Sequence, residues 1–262
     1  MNIIVCVKQV PGTNQVEVDL VTGVLKRDGV DSKLNPYDLF ALEAAFRIHS
    51  SCGGRVTALS MGPAQAAASL MEAVYMGADG GVLLSDRKFA GADVQATSYA
   101  LSLGVKKLGD FDLILCGKQT TDGDTAQVGP ELAEKLGIEH AANVVSVDEV
   151  NADSVTVTIA LDDRFQTQRM ALPCLLTIDK DAYTPRLPSY LAKKRCTGAE
   201  VTVWAAQDLA GADISRLGLK GSPTQVERIF PPEKNTEKRI FTGEAPELTE
   251  QLHGLLCSRK FI

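Results

Sequence analysis

Residues 117–130 carry the side chains and glycines of this chain that best suit a phosphate-bearing ligand. The stretch reads GKQTTDGDTAQVGP and follows an apolar run, DLILC, that is typical of a buried strand. A helix is predicted to begin near Thr125, and a helix N-terminus offers backbone amides and a partial positive charge to a pyrophosphate. Gly117, Gly123 and Gly129 permit tight turns and close approach of the backbone to a ligand. We therefore expect a nucleotide here, held mainly by backbone amides.

Two acidic residues in this stretch oppose a phosphate placed directly against them. We expect Asp122 and Asp124 to cap the helix, or to bind ribose and ring donors. An ordinary strand–loop–helix connection, glycine-rich for turning and Asp-rich for capping, would have the same composition, and the residues leave that alternative open. The chain has no G-x-G-x-x-G after its first strand and no G-x-x-x-x-G-K-[ST], which disfavours a Rossmann dehydrogenase and a P-loop NTPase.

Residues for acid–base, nucleophilic or metal chemistry are poorly grouped. The histidines, His49, His140 and His253, are far apart and none lies in a glycine-rich loop. The chain contains no G-x-S-x-G and no H-E-x-x-H, and its six cysteines form no C-x-x-C pair, so we expect no zinc or iron–sulfur site. A site without an evident acid, base or nucleophile suits a protein whose bound cofactor supplies the chemistry.

The elements around this loop alternate in type. Strands are predicted at 2–7, 55–60, 81–84 and 112–116, and helices from Asn35-Pro36, at 64–75, 94–108 and 125–136, with Asn35 as a cap of the first helix. Such alternation predicts right-handed crossovers and a parallel sheet. Ligands bind at the carboxyl ends of such strands, which indicates the loops after Val7, Ser60 and Cys116.

The remainder of the chain has a different pattern. A surface hairpin is predicted over 16–20 and 24–27, and 154–161, 165–172 and 174–178 read as antiparallel strands and a final strand of the sheet. Beyond residue 184 the chain is rich in proline and ends in a short amphipathic helix containing Leu248 and Leu252. A tail of this kind suggests an arm that lies on a partner chain.

Bulk properties exclude several classes of protein. The net charge of −6 argues against nucleic-acid binding. No apolar run approaches the ~20 residues of a membrane span. The N-terminus reads as a buried strand and not as a signal peptide, so we expect a cytoplasmic location.

Several long segments together resemble the electron transfer flavoprotein β subunit. They are CVKQV (6–10), NPYDLFALEAAFR (35–47), VTALSMGPAQAAASLMEAVYMGAD (56–79), GKQTTDGDTAQVG (117–129) and YTPRLPSYLAKKR (183–195). They occur in the order and spacing of that family and cover most of the chain. The resemblance implies an α/β, parallel-sheet nucleotide-binding domain of the adenine nucleotide α-hydrolase-like type over 1–184, with a β-hairpin region. It also implies a recognition loop and extended C-terminal arm over 185–262, wrapping an α subunit.

The resemblance also implies the cofactor and its contacts. In that family the α subunit carries one FAD, and the β subunit holds AMP in housekeeping members or a second FAD in electron-bifurcating members. The matching cofactor-binding residues here are Cys6, Asn35, Pro36, Tyr37, Asp38, Met61, Gly117, Lys118, Gln119, Thr120, Thr121, Asp122, Gly123, Asp124, Thr125, Ala126, Gln127 and Val128.

The run DGDTAQVG at 122–129 resembles the bifurcating type, whose small residues admit a full flavin. The segment GADVQATSYAL at 91–101 resembles it as well, which implies that Asp93, Thr97 and Ser98 contact the flavin or its ribityl chain. An Asp-capped amphipathic helix is the alternative for that segment. Residues 37–40, Tyr-Asp-Leu-Phe, are bulkier than the acidic, polar version of acyl-CoA-linked bifurcating members, which leaves the partner dehydrogenase open.

On this resemblance, NADH supplies electrons to FAD in this chain. One passes to ferredoxin or flavodoxin, and the other passes through the α-subunit FAD to a flavin-dependent acyl-CoA or lactate dehydrogenase. Leu187, Pro188, Tyr190 and Leu191 resemble the loop that recognises this dehydrogenase, although a solvated basic linker is the alternative. Two other functions remain open: a non-bifurcating carrier with structural AMP, and a homodimeric nucleotide-binding stress-type regulator without flavin.

Overall fold

The computed structural model describes residues 1–12, 32–198, 200–227 and 238–262. The hairpin predicted over 16–20 and 24–27 lies outside the described residues. Two compact units are present, Met1–Glu227 and Arg228–Ile262. The boundary expected between residues 184 and 185 divides a nucleotide-binding domain from a recognition loop and arm, and it does not coincide with the division into compact units. It stays a prediction.

The described residues of the first unit form a nine-stranded sheet and a two-stranded ribbon. The strands are β1 (Asn2–Cys6), β2 (Gln9–Pro11), β3 (Ser32–Leu34), β4 (Arg55–Met61), β5 (Gly80–Leu84), β6 (Leu113–Gly117), β7 (Glu139–Val150), β8 (Ser154–Ala160), β9 (Phe165–Ala171), β10 (Cys174–Ile178) and β11 (Thr202–Trp204). The order in the sheet is β11-β5-β4-β1-β6-β10-β7-β8-β9, and β2 pairs with β3 in the ribbon. All neighbours from β11 to β7 pair in parallel, and β7, β8 and β9 continue the sheet in antiparallel pairs.

Four helices of the first unit cover both faces of this sheet: α1 (Pro36–Cys52), α2 (Ala67–Met76), α3 (Val94–Leu108) and α4 (Val128–Leu136). The first unit also contains the short helix α5 (Tyr190–Arg195), and the second unit contains α6 (Ala245–Ser258). Ile3 and Val5 of β1 belong to one core with α1 and α2, whereas Ile4 and Cys6 belong to another with α3 and α4. Because alternate residues of β1 are buried on opposite faces, its sequence is a continuous apolar run.

The crossovers create a switch point beside β1. The chain passes from β1 through α1 to β4, its neighbour on one side, and later from β5 through α3 to β6, its neighbour on the other side. The connections therefore diverge at the carboxyl ends of β1 and β6, where a crevice forms in doubly wound sheets. The predicted α/β class with a mostly parallel sheet is confirmed.

Three details differ from the sequence-based expectation. The helix expected from Thr125 begins at Val128, because Asp124 (φ 52°) and Ala126 (φ 56°) adopt left-handed conformations that a helix does not contain. The 12-residue strand β7 was not predicted. Nor was β11, which extends the parallel sheet by pairing with β5.

Within the described ranges, no helix is both long and apolar enough to span a bilayer.

Helix α4 packs closely on β10 because Gly129 has no Cβ atom. A Cβ added to Gly129 would lie 2.6 Å from Thr177 Cγ2. We expect Gly129→Ala to lower the free energy of unfolding by about 1–3 kcal/mol through overpacking. Urea unfolding of the purified protein measures this loss.

A second substitution isolates the cause. Thr177→Ser deletes only the Cγ2 methyl and keeps the hydroxyl that accepts from Asn143 N at 3.2 Å. In the Thr177→Ser background the loss caused by Gly129→Ala should be clearly smaller. An equal loss in both backgrounds would show that this contact is not its source.

Candidate functional site

The candidate site lies at the carboxyl edge of the parallel strands. Cys6, Met61 and Gly117 end β1, β4 and β6, and α1 and α4 begin at the same edge. The structure thereby brings together the segments around 6–8, 35–38 and 117–128, as the sheet rule predicts.

Asn35 joins the three segments through its side chain and its backbone N together. It is fully buried. Its Nδ2 donates to Asp38 Oδ1 and to the Gln119 carbonyl, each at 2.9 Å, and its Oδ1 accepts from Thr121 N at 3.3 Å. Its own backbone N donates to the Lys8 carbonyl at 2.9 Å. The expected capping role is wrong: Asn35 stands at the N-cap of α1 without a side-chain capping bond, because its amide is directed to the β6 loop.

Asp38 is buried at the centre of this arrangement. Oδ2 accepts from Lys8 N at 2.7 Å, and the backbone of Gly117 is a further hydrogen-bonding partner. Burial raises the pKa of Asp38 to about 7, although the hydrogen bonds from Asn35, Lys8 and Gly117 act in the opposite direction. The carboxyl group is therefore poised to change protonation near neutral pH.

Gly117 is required by the same close approach. A Cβ at this position would lie 2.7 Å from the Tyr37 carbonyl carbon and 2.8 Å from Asp38 N. The first turn of α1 therefore packs directly on the backbone of β6. Pro36 and Tyr37, at the start of α1, are half-buried beside it.

Lys8 was not among the predicted site residues, yet it holds the loop after β6. Its Nζ lies 2.7 and 2.8 Å from the two carboxylate oxygens of Asp122. Partial burial acts to raise the pKa of Asp122, but hydrogen bonding and charge from Lys8 outweigh it, and the pKa lies below its usual value. The signal available in the sequence was a lysine directly after the buried first strand.

The second loop carboxylate is also engaged. Gln119 Nε2 donates to Asp124 Oδ1 at 2.6 Å and to Tyr37 OH at 3.3 Å. Neither Asp122 nor Asp124 caps α4, whose N-cap position is Gln127. The capping expectation is therefore wrong, because both carboxylates bind donors from the site instead.

The loop itself is open to solvent. Residues 121–127 are exposed, and Thr120 shapes the turn by accepting from Gly123 N at 3.3 Å and from Asp124 N at 3.1 Å. Gln127 makes no side-chain capping bond to α4. The first amides of α4, at Val128 and Gly129, therefore lack a side-chain cap at the crevice, and Thr125 and Ala126 add little bulk beside them. This geometry suits an anion with a phosphate.

Lys118 lies at the other margin of the loop. Its backbone N donates to the Ile178 carbonyl at 2.9 Å, and its Nζ pairs with Asp179 Oδ2 at 3.1 Å. Its charge is thus directed toward the end of β10.

One polar atom at this edge has no partner. Ser60 Oγ, in the penultimate residue of β4, is buried and makes no hydrogen bond in the described part of the chain. Such atoms are rare in folded proteins and mark strain or an unfilled role. The cofactor-binding residue predicted from the sequence on this strand is the adjacent Met61, which is half-buried.

Cys6 and Cys116 fill the space under the crevice. They are register partners on β1 and β6, and both are buried. Hydrogen bonding from Cys6, together with burial, raises the pKa of the Cys116 thiol well above its usual value. A thiol of raised pKa is a poor nucleophile, so Cys116 is suited to packing and not to covalent chemistry.

Asp93 caps α3, as the alternative interpretation of that segment holds. Its Oδ1 accepts from Ala96 N at 3.0 Å, and its Oδ2 accepts from Thr224 N at 3.0 Å and Thr224 Oγ1 at 2.8 Å. Thr97 is half-buried in the first turn, and Ser98 Oγ donates to Glu131 Oε2 of α4 at 3.0 Å. These bonds hold the start of α3 against α4 and residues 222–224; a flavin contact there stays a prediction.

The recognition segment, residues 183–195, is anchored at its base and exposed at its tip. Leu187, Tyr190 and Leu191 are 86%, 78% and 64% exposed, beside exposed Pro188. Arg186 binds Glu43 of α1 through two pairs of atoms, Nε–Oε2 at 2.8 Å and Nη2–Oε1 at 3.2 Å. An apolar cluster held on a rigid base is suited to docking.

Two further contacts complete the anchor. The Arg186 guanidinium lies 4.8 Å from the centre of the Phe46 ring. Ser189 N donates to the Tyr75 carbonyl of α2 at 2.8 Å. The segment therefore rests on both α1 and α2.

Comparisons with known proteins cover the whole chain. The family pattern described as "Electron transfer flavoprotein domain" matches residues 22–209. A protein named electron transfer flavoprotein subunit beta from Thermoanaerobacterium thermosaccharolyticum is 46% identical over 263 residues, covering 100% of both chains. Another of that name from Clostridium acetobutylicum is 47% identical over 265 residues, again covering 100% of both. Protein FixA from Azorhizobium caulinodans is 44% identical over 256 residues, covering 94% of this chain and 91% of that protein.

Asp38 gives this site a pH-dependent contribution to stability. Its folded pKa of about 7 lies above the ordinary value of 3.8, so the folded protein keeps a proton that the unfolded chain has lost. As pH rises from about 4 to about 7, the wild type should lose stability relative to Asp38→Asn, by up to ~4 kcal/mol. Urea unfolding of both proteins across this range measures the difference.

Glu43→Gln serves as the control of opposite sign. Burial acts to raise the pKa of Glu43, but Arg186 and Arg47 outweigh it and the pKa is lowered. The wild type should therefore lose stability relative to Glu43→Gln as pH falls below the ordinary value of 4.5. A wild-type-to-Asp38→Asn difference that does not change with pH would contradict a raised pKa.

Proposed function

We propose that this chain, which belongs to the electron transfer flavoprotein family as a β subunit, binds FAD and bifurcates electrons from NADH. One electron goes to ferredoxin or flavodoxin. The other goes through the α-subunit FAD to a flavin-dependent acyl-CoA or lactate-type dehydrogenase. The chain's role in electron transport and its pairing with an α subunit follow from the family; the bifurcation, the cofactor of this subunit and the other partners are the proposal.

The shape of the 121–127 loop is the observation that supports FAD most directly. Gly123 and Ala126 are small, and Asp124 and Ala126 adopt left-handed conformations that turn the backbone before α4. Uncapped amides at Val128 and Gly129 suit a pyrophosphate. FAD, when bound, supplies the redox chemistry, and the residues of this chain bind it and set its surroundings.

Charges around the loop are arranged to leave room for phosphates. Lys8 compensates Asp122, and Gln119 holds Asp124. Lys8 thereby neutralises the charge of Asp122, and the hydrogen bond from Gln119 fixes the carboxylate of Asp124, so neither need repel a phosphate. Both carboxylates remain able to accept hydrogen bonds from ribose hydroxyls. Met61 and Ser60, at the end of β4, and Tyr37, at the start of α1, would border the ligand.

The alternative is a non-bifurcating carrier with structural AMP. The ion pair between Lys8 and Asp122 favours it to some degree, because it joins the β1 and β6 loops across the crevice and limits the room beyond an adenosine phosphate. The two functions differ in the nucleotide that this chain holds.

The partners are proposed from surfaces at the end of the chain. We infer that the recognition segment docks the dehydrogenase and that, of the arm expected over 185–262, the part described at 238–262 lies on the α subunit, since residues 200–227 pack on β5 and α3 of this chain. Within the second unit, α6 carries Leu248, Leu252, Leu255 and Leu256 at helical spacing, and none of its residues is buried. Such a helix gains stability when its apolar face is covered by another chain.

Nucleotide content separates the two functions. Purified together with its α subunit and denatured, the heterodimer should release two FAD and no AMP. One FAD and one AMP would overturn bifurcation and leave an electron shuttle. Two FAD would justify measuring ferredoxin reduction by NADH.

Substitutions at Ala126 test whether the loop holds the second flavin. A β-branched side chain is poorly tolerated at φ 56°, so Ala126→Val should rearrange the loop and reduce the release from two FAD toward one per heterodimer. Ala126→Gly accepts this conformation and should retain two. Equal flavin content in both variants would argue against binding at this loop.

Truncating an exposed side chain of the recognition segment should weaken binding to the dehydrogenase without affecting flavin binding. Leu187→Ala should weaken binding of the heterodimer to its dehydrogenase about tenfold or more, with flavin content unchanged. Titration calorimetry against an acyl-CoA dehydrogenase and a lactate-type dehydrogenase measures this effect and identifies the partner. Val203→Ala, which truncates an exposed valine on β11, is the matched control. Equal effects of the two substitutions would contradict a docking role for Leu187.

A further inference from the structure

We propose that a cavity beside the start of α3 binds a phosphate group, at residues separate from the 117–128 loop. The cavity has a volume of about 360 Å³ and lies between Gln95 and Tyr99 of α3 and residues 215–223. Small-molecule sites occupy ~300–1,000 Å³, so this volume admits a phosphate or a diphosphate. Its lining includes two cations, Arg216 and Lys220, and no carboxylate.

Arg216 is arranged to receive a ligand. Its guanidinium carbon lies 4.1 Å from the centre of the Tyr99 ring, so the group is stacked on an aromatic face. Neither Arg216 nor Lys220 forms a salt bridge within the residues that the structure describes. A stacked guanidinium keeps its N–H edge available, and this planar fork matches the oxygens of a phosphate.

Two carboxylates on the segments that flank this cavity, Asp213 and Asp93, already have donors. Asp213 accepts from Ser215 N at 2.9 Å and from Ser215 Oγ at 2.6 Å; these bonds, with the charge of Arg216, lower its pKa. Asp93 is held by Ala96 and Thr224. Neither acid lines the cavity, so the two cations are left to attract an external anion.

Residues 215–223, which include one wall of the cavity, are held in place by internal contacts. Gly218 has φ +53°, and a Cβ there would lie 2.8 Å from the Ala90 carbonyl. Leu219 N donates to that same carbonyl at 2.9 Å. Ser222 Oγ, which is buried, donates to the Gly218 carbonyl at 2.8 Å and accepts from Asp93 N at 2.8 Å. A wall held in this way loses little conformational entropy on binding.

Charge at the cavity differs from that of the chain. The whole chain carries a formal net charge of −6, yet Arg216 and Lys220 meet here, and the turn containing Arg87 and Lys88 packs against residues 218–221. A local positive field in an acidic protein concentrates anions at that place. The ligand class is therefore a phosphate or diphosphate, free or as part of a nucleotide.

Calorimetric titration of the intact heterodimer with inorganic pyrophosphate at low ionic strength tests the subsite. Wild type should bind, and Arg216→Ala should weaken binding about tenfold or more. Arg216→Lys keeps the charge without the fork and should fall between the two, and Lys220→Ala should weaken binding several-fold. Arg164→Ala, which removes an exposed arginine from the β8–β9 turn, should bind like wild type.

Two results would overturn the proposal: no pyrophosphate binding by wild type at millimolar concentration, or equal binding by wild type, Arg216→Ala and Lys220→Ala. Flavin content is measured on every variant. If Arg216→Ala loses flavin or fails to fold, Arg216→Lys and Lys220→Ala decide the question. Because the result depends on Arg216 and Lys220, it stands whether the other site releases FAD or AMP.

Further titrants identify the source of the phosphate. Orthophosphate and ADP, each titrated alone and in competition with pyrophosphate, distinguish a free anion from a nucleotide. Tighter binding of ADP assigns a nucleotide, and equal or tighter binding of orthophosphate assigns the free ion. Loss of either signal in Arg216→Ala confirms that the binding occurs in this cavity.

Discussion

The buried side chain of Asn35 is the contact on which the geometry of the crevice depends. Its amide group joins the first turn of α1 to the loop after β6 through Asp38, Gln119 and Thr121, and its backbone N donates to the Lys8 carbonyl after β1. These segments are far apart in sequence, and beyond the last paired residues of β1 and β6, Cys6 and Cys116, the side chain of Asn35 continues the connection into the loop. A buried polar network is stabilising only when each member is satisfied, so the position of each segment constrains the other two.

Around this network, opposite charges are placed so that an anion is admitted and not repelled. Lys8 meets Asp122, Lys118 meets Asp179, and Asp38 is withdrawn into the protein, where burial favours its protonated form. Helix α4 then presents its first amides without a side-chain cap. Backbone dipoles at this position suit a phosphate, so an acidic chain without a phosphate-loop motif could hold the proposed nucleotide through them.

The sequence predicted the central strands and α3 closely because these elements are buried and strongly periodic. It did not predict the start of α4, because the left-handed conformations of Asp124 and Ala126 result from the loop's contacts and not from composition. Strand β7 is half-exposed and irregular in pattern, and β11 is three residues long and pairs with a strand more than one hundred residues earlier in the chain. The loops of the site were predicted by topology, whereas the Lys8–Asp122 pair and the role of Asn35 required knowledge of which side chains meet.

Helix α1 contributes residues both to the crevice and to the base of the recognition segment. Asp38, in its first turn, belongs to the crevice, and Glu43, little more than one turn later, binds Arg186 at the base of the recognition segment. If residues 183–195 dock a partner as proposed, their preference would depend on α1 as well. A segment exchanged between relatives would need Glu43 and Phe46 to accompany it, since these side chains hold Arg186 at its base. On the docking role proposed for the recognition segment, a change of specificity is expected to require paired changes in α1 and in that segment.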